Sequence, residues 1–118
     1  RMQEQRVLRY LTNKLEQKAV IACGGGTPCF HENDVFMLAN GTCIYIDQPV
    51  EILIARLSQA TDTRPIADTL NTDELKALHD DRKPVYETAH IIAKGPFQTK
   101  KVFIGLVISK LEIRKDKP

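Results

Sequence analysis

Apolar residues at Val7, Leu8, Leu11 and Leu15 recur at intervals of three and four, with charged residues between them. That spacing lines one face of an amphipathic helix and predicts one from Met2 to about Leu15. Ala19 to Cys23, AVIAC, is short, apolar and closed by glycine, and so predicts a buried strand. His31 to Ala39, with Val35, Phe36 and Leu38, predicts a short helix ended by Asn40-Gly41. Thr42 to Ile46, TCIYI, predicts a second buried strand, Asp47 to Pro49 a turn, and Val50 to Leu57 a helix entered through proline. The polar stretch Ser58 to Asn71 lacks periodicity and predicts a mobile loop. Thr72 to Arg82 then predicts a helix with Thr72 as its N-cap and Lys83-Pro84 closing it. Ala89 to Ala93 predicts a third strand, and Lys100 to Ile113 a final amphipathic helix. Helices alternating with short hydrophobic strands imply an α/β fold, a parallel sheet flanked by helices.

The length of 118 residues holds one compact domain over 1–118. Charge changes the picture little: 17 basic against 15 acidic residues is too balanced for a nucleic-acid surface, and the basic tail IRKDKP reads as a solvated terminus. No apolar run has the length of a membrane helix or signal peptide. Cys23, Cys29 and Cys43 fit no disulfide spacing and lack the partners of a zinc site, so they read as small buried thiols of a reduced, cytoplasmic protein. The first helix opens on Arg1 without a start signal, which predicts a polypeptide that began earlier.

The chemistry gathers around Gly24, Gly25 and Gly26, which come directly after AVIAC. In an open parallel sheet, ligands bind beyond the carboxyl ends of the strands, and backbone without side chains can approach a phosphate or a polyol closely. A glycine-rich turn alone is weak evidence. It becomes specific together with R-M-Q-E at Arg1 to Glu4, I-Y-I-D-Q-P-V-E at Ile44 to Glu51, A-R-L at Ala55 to Leu57, R-P-I at Arg64 to Ile66 and R-K-P-V-Y at Arg82 to Tyr86.

With V-I-A-C-G-G-G at Val20 to Gly26, this series resembles shikimate kinases, of the P-loop nucleoside-monophosphate-kinase-like group, in order and nearly in spacing from residue 1 to about 93. The interval from helix to glycines is slightly longer, a difference assigned to a turn over Asn13 to Lys18, and GGGTPCF is similar to the form found in members from Bacteroidetes. The resemblance implies a three-layer α/β/α fold of the P-loop kinase type. It implies that Arg1 and Arg82 grip the shikimate carboxylate, that Gly24, Gly25 and Gly26 line the shikimate pocket, and that Glu4 holds Arg1. It also implies that Arg64, on a lid loop of about 58–71, closes over ATP as a catalytic arginine, and that Arg56 packs beside the adenine. Lys94 to Gln98, KGPFQ, does not match the family clearly enough to carry a role.

The activity implied is phosphorylation of shikimate by ATP and Mg2+ in aromatic amino-acid biosynthesis, by a protein that binds neither nucleic acid nor membrane and is a monomer when complete. The chain contains no G-x-x-x-x-G-K-[ST], the loop that cradles phosphates and holds magnesium. Asp34 and Asp47 do not stand in the family's catalytic aspartate motif. The expectation is therefore the C-terminal two thirds of such a kinase, its P-loop strand and helix and its magnesium ligands lying upstream. The loss of a central strand would leave open edges and apolar faces, and the 118 residues alone would be inactive. A non-catalytic homologue or fragment that binds a shikimate-like hydroxy acid is the alternative; a gluconate-type kinase is disfavoured by the glycines. His31, His79 and His90 receive no role, His90 being expected at a strand edge or hydrogen-bonded in the core.

Overall fold

A computed structural model describes residues 1–14, 19–59 and 71–115. Helix α1 spans Met2–Lys14, and a 3₁₀ turn at Thr27–Cys29 leads into α2, Asn33–Asn40. Strand β1, Ile44–Asp47, is followed by α3, Val50–Gln59, and α4, Thr72–Tyr86. Strand β2, Ile91–Lys94, and α5, Lys100–Lys115, complete the described order. β1 and β2 pair in parallel, Ile44 opposite Ile91 and Asp47 opposite Lys94. The strands therefore end side by side, on Asp47 and Lys94, and the loops that leave them share one edge of the sheet.

Burial is concentrated in β2, which lies between β1 and α5. Ile91 and Ala93 are 5% and 0% exposed, and Leu8 of α1 is the third buried apolar residue among those described. β1 differs: Ile44 and Ile46 keep 40% and 52% of their surface exposed. The strand predicted as buried over Thr42 to Ile46 is thus a half-exposed strand shifted to Ile44–Asp47. Its apolar composition is that of a two-sided strand, but among the described residues β2 is the only strand beside it.

Ala19 to Cys23 is not a strand. Val20 is fully exposed and Ile21 is 44% exposed. A strand exists only where a neighbour supplies the hydrogen-bonding ladder, and no described strand pairs with this segment. Cys23, expected to be buried, is exposed for the same reason, whereas Cys29 and Cys43 are half-buried.

Helix boundaries differ from the predicted ones for local reasons. α2 begins at Asn33 because His31 and Glu32 take left-handed backbone angles, φ 54° and 56°. It ends as expected, with the Gly41 N–H on the Met37 carbonyl. α3 runs on to Gln59, starting from the Pro49 carbonyl, which accepts the Ile52 and Leu53 N–H groups. The N-cap of α4 is Asn71 rather than Thr72: its side chain accepts the Glu74 N–H at 2.8 Å, and Glu74 reaches back to the Asn71 N–H. Pro84 lies inside α4 and does not end it. So close to the C-terminus it removes a single backbone bond, and Glu87 N–H still reaches the Lys83 carbonyl at 2.9 Å. β2 starts at Ile91, later than predicted, and α5 reaches Lys115. Of the predicted loop, Ser58 and Gln59 belong to α3 and Asn71 to the cap of α4. Residues 60–70 fall outside the described residues. So do residues 15–18 of the predicted turn, whose first residues, Asn13 and Lys14, are helical.

His90 locks the start of the strand pair. Its Nδ1 accepts the Cys43 N–H at 2.9 Å, a bond open only to the unprotonated atom, and Ile91 N–H donates to the Cys43 carbonyl at 3.1 Å. Loss of solvent is the larger cause holding the ring below its ordinary pKa of 6.5, and the charge of Arg114 adds to it. With the folded pKa below the unfolded one, the folded state binds fewer protons in between. The contribution is complete above about pH 6.5 and is lost as the pH falls through the folded value. Thermal melts of the full-length protein at about pH 7.5 and about pH 5.5 are expected to differ by on the order of 1–2 °C more in the wild type than in His90→Gln. Equal differences would remove His90 from the acid sensitivity.

Candidate active site

The three glycines lie between the end of α1 and the start of α2, and all have negative φ. They are therefore not there for left-handed backbone; space is the reason for two of them. A Cβ on Gly26 would fall 2.6 Å from Arg1 Nη2 and 2.7 Å from Arg1 Cζ. A Cβ on Gly25 would fall 2.9 Å from the Tyr86 hydroxyl and 3.4 Å from Arg82 Nη1. At Gly24 nothing is closer than Thr27 Oγ1 at 3.9 Å, so a methyl group fits there. Real Cβ contacts under 3.0 Å essentially do not occur, so side chains are excluded at Gly25 and Gly26 while Arg1 and Tyr86 stay in place.

Arg1 comes from the start of α1 and Arg82 from the last turns of α4, yet both meet this loop. Arg1 Nη1 donates to Glu4 Oε1 at 2.7 Å across one helical turn, and its guanidinium lies 4.4 Å from the centre of the Phe30 ring. A parallel contact, Arg9 over Phe36 at 4.3 Å, fixes α1 to α2. The Tyr86 hydroxyl donates to the Gly25 carbonyl at 2.5 Å, and its ring packs on Tyr45 of β1 with centroids 5.2 Å apart. Through Tyr86 the end of α4, and Arg82 one turn earlier, is tied to both the glycine loop and the sheet.

Charge is unevenly matched here. The Arg1–Glu4 pair is the one ion pair among the described residues, so Arg82 has no carboxylate partner among them. Burial pushes the Cys29 thiol pKa up, and the charges of Arg82 and Arg1 oppose that shift while Asp34 adds to it. The Thr27 hydroxyl first, and Arg1 second, hold the Glu4 carboxyl below the usual carboxylate range. Burial pushes the Tyr86 hydroxyl up, so it stays a donor, and the nearby Arg82 opposes that shift. Tyr45 is raised further, by burial and then by Asp47, whose carboxylate it contacts at 3.2 Å. Two guanidiniums around bare backbone make a site for a planar anion that accepts charge-assisted bonds.

Beyond the carboxyl ends of the strands a second, open cleft of about 260 Å³ is bounded by Asp47, Gln48, Lys94 and Gly95, with His79 and Lys83 of α4 opposite. An apolar groove between α3 and α4, lined by Leu53, Leu57, Leu75 and Leu78, ends on Arg82 and Tyr86.

The sequence model of the shikimate kinase family matches residues 1–111. The chain belongs to the shikimate kinase family. Among its relatives, the shikimate kinase of Azobacteroides pseudotrichonymphae is 38% identical over 73 residues, covering 62% of this chain and 42% of that protein. That of Parabacteroides distasonis is 38% identical over 79 residues, covering 64% and 46%. A crystal structure of shikimate kinase from Bacteroides thetaiotaomicron superimposes with a TM-score of 0.74 at 26% identity, over 94% of this chain and 65% of that one. The fold is accordingly that of P-loop kinases, and the chain spans about half the length of the curated shikimate kinases it matches.

Of the residues singled out from the sequence, Arg1, Gly25, Gly26 and Arg82 come together, with Glu4 on Arg1. Gly24 adjoins them with open space. Arg56 is exposed on α3 and has no hydrogen bond or ion pair to this cluster among the described residues. Arg64 lies outside the described residues. Sequence reasoning passes over Tyr86, Thr27 and Phe30. Tyr86 is within its reach, since it stands four residues after Arg82 and so shares its helix face. Nothing in the sequence pairs Phe30 with Arg1, because that contact joins two elements.

Proposed function

We propose that the protein transfers the terminal phosphoryl group of ATP to shikimate, giving 3-phosphoshikimate and ADP. The observation that carries this reading is the convergence of Arg1, at the start of α1, and Arg82, in the last turns of α4, on Gly26 and Gly25. In this reading the two guanidiniums bind the shikimate carboxylate and the bare glycine backbone admits the ring. Catalysis by such a site is mainly positioning and charge stabilisation. Arg64 closes over ATP and steadies the charge on the transferring group, and Arg56 lies beside the adenine. The phosphates and the magnesium ion are another matter. The sequence holds no G-x-x-x-x-G-K-[ST], and no group of three His, Cys, Asp or Glu among the described residues could hold a metal ion. The reading carries with it a cytoplasmic monomer acting on small soluble substrates; no described helix is long and apolar enough to cross a membrane.

The test is shikimate-dependent ADP formation by the full-length protein with MgATP, in the wild type and in Arg64→Ala. Loss of the lid arginine is expected to lower kcat by at least about 100-fold while the KM for shikimate moves little. A wild type that binds shikimate but forms no ADP would be a binding protein, and an unchanged kcat in Arg64→Ala would take that residue out of the chemistry.

A further inference from the structure

An exposed Arg–Glu pair one helical turn apart is loosely held, because both side chains keep rotamer freedom in water. The Arg1–Glu4 pair is not left in that state. The second Glu4 oxygen, Oε2, accepts the Thr27 hydroxyl at 2.5 Å, and Thr27 is itself only 8% exposed. Behind it, Asn33 is 1% exposed and donates from Nδ2 to the Thr27 carbonyl at 2.9 Å. The Asn33 N–H donates to the Phe30 carbonyl at 3.0 Å, which fixes the turn that carries both the Thr27 hydroxyl and the Phe30 ring under Arg1. A buried amide thus holds a turn, the turn holds a hydroxyl, and the hydroxyl holds the carboxylate that orients the guanidinium.

We propose that Thr27, backed by Asn33, is a positioning residue for substrate binding, fixing Glu4 so that it occupies one N–H of Arg1 and presets the rest of the fork for the incoming carboxylate. The inference rests on the reading of Arg1 as a shikimate-carboxylate group. A fork already held in its bound geometry loses less freedom when the anion arrives, so the benefit appears in the affinity for shikimate and not in that for ATP. Thr27→Val isolates this role: it keeps the shape of the buried side chain and removes the hydroxyl, while the half-buried Glu4 oxygen it leaves can turn to water.

The experiment compares wild type, Thr27→Val, Thr27→Ser, Arg1→Ala and Arg1→Ala/Thr27→Val in the full-length protein, with shikimate and ATP varied separately and melting temperature recorded. Thr27→Val is expected to raise the KM for shikimate roughly 3- to 10-fold, with kcat and the KM for ATP within about twofold of wild type. Thr27→Ser, which restores the hydroxyl, should return the KM to near the wild-type value. On the Arg1→Ala background Thr27→Val should add nothing, because the group it orients has gone. A normal KM in Thr27→Val beside a raised one in Arg1→Ala would overturn the positioning role and leave the Arg1 reading standing. An unaltered KM in Arg1→Ala would remove both. A rise in Thr27→Val that persists without Arg1, that Thr27→Ser does not reverse, or that extends equally to ATP would show Thr27 to be structural only.

Discussion

Gly26→Ala in the full-length protein is expected to raise the KM for shikimate about 10- to 100-fold with a melting temperature close to that of the wild type. The added methyl group would enter the space of the Arg1 guanidinium, under 3 Å from Nη2 and Cζ. Gly26 has ordinary right-handed backbone angles, φ −84° and ψ −17°, so alanine fits the backbone itself. What gives way is the far end of a long side chain, and Arg1 leaves its place between Glu4 and Phe30 while the turn keeps its shape. Removing a charge-assisted bond to a substrate carboxylate costs about 1.5–3 kcal/mol, which sets the expected range. Alanine at Gly24, where the nearest side-chain atom is 3.9 Å away, is the steric control. Because Gly26→Ala acts by displacing Arg1, Gly26→Ala/Arg1→Ala should be no worse than Arg1→Ala. Additive losses would mean that Gly26 meets the substrate directly.

Arg82→Ala is the second large effect: a rise of the same order, about 10- to 100-fold, in the KM for shikimate, and a change of less than about threefold in that for ATP. Arg82 has no carboxylate partner among the described residues, so its deletion orphans no charge among them, and the fold should survive. Tyr86 stays on the Gly25 carbonyl and continues to anchor the end of α4. Steady-state kinetics with each substrate varied in turn check the result. Equal losses for shikimate and ATP would place Arg82 on both substrates or on neither, and would count against the carboxylate fork.

The helices are legible where periodicity is strong and the ends carry chemistry. α1, α2 and α5 lie where the three-and-four spacing and Asn40-Gly41 put them, within one or two residues at most boundaries. The cap of α4 differs by one residue because Asn71 and Thr72 are both good caps, and only the turn geometry chooses which side chain reaches Glu74. Ala19 to Cys23 departs more deeply from its pattern. Its composition is that of a buried strand, but strand formation is a property of two segments, and composition reports one.

The order of the five described α-helices and of the two strands at Ile44–Asp47 and Ile91–Lys94, the closeness of Arg1 to Glu4 on one helix face and the membership of the family come from the sequence itself, because local periodicity and short motifs are written in neighbouring residues. The meeting of Arg1 with Phe30 and of Glu4 with Thr27, the seating of Tyr86 on Gly25, and the reason for two of the three glycines were decided by tertiary structure alone. Those contacts join α1, the glycine turn and α4 across long stretches of chain. Their partners are chosen by how the elements pack, which no spacing along the chain records.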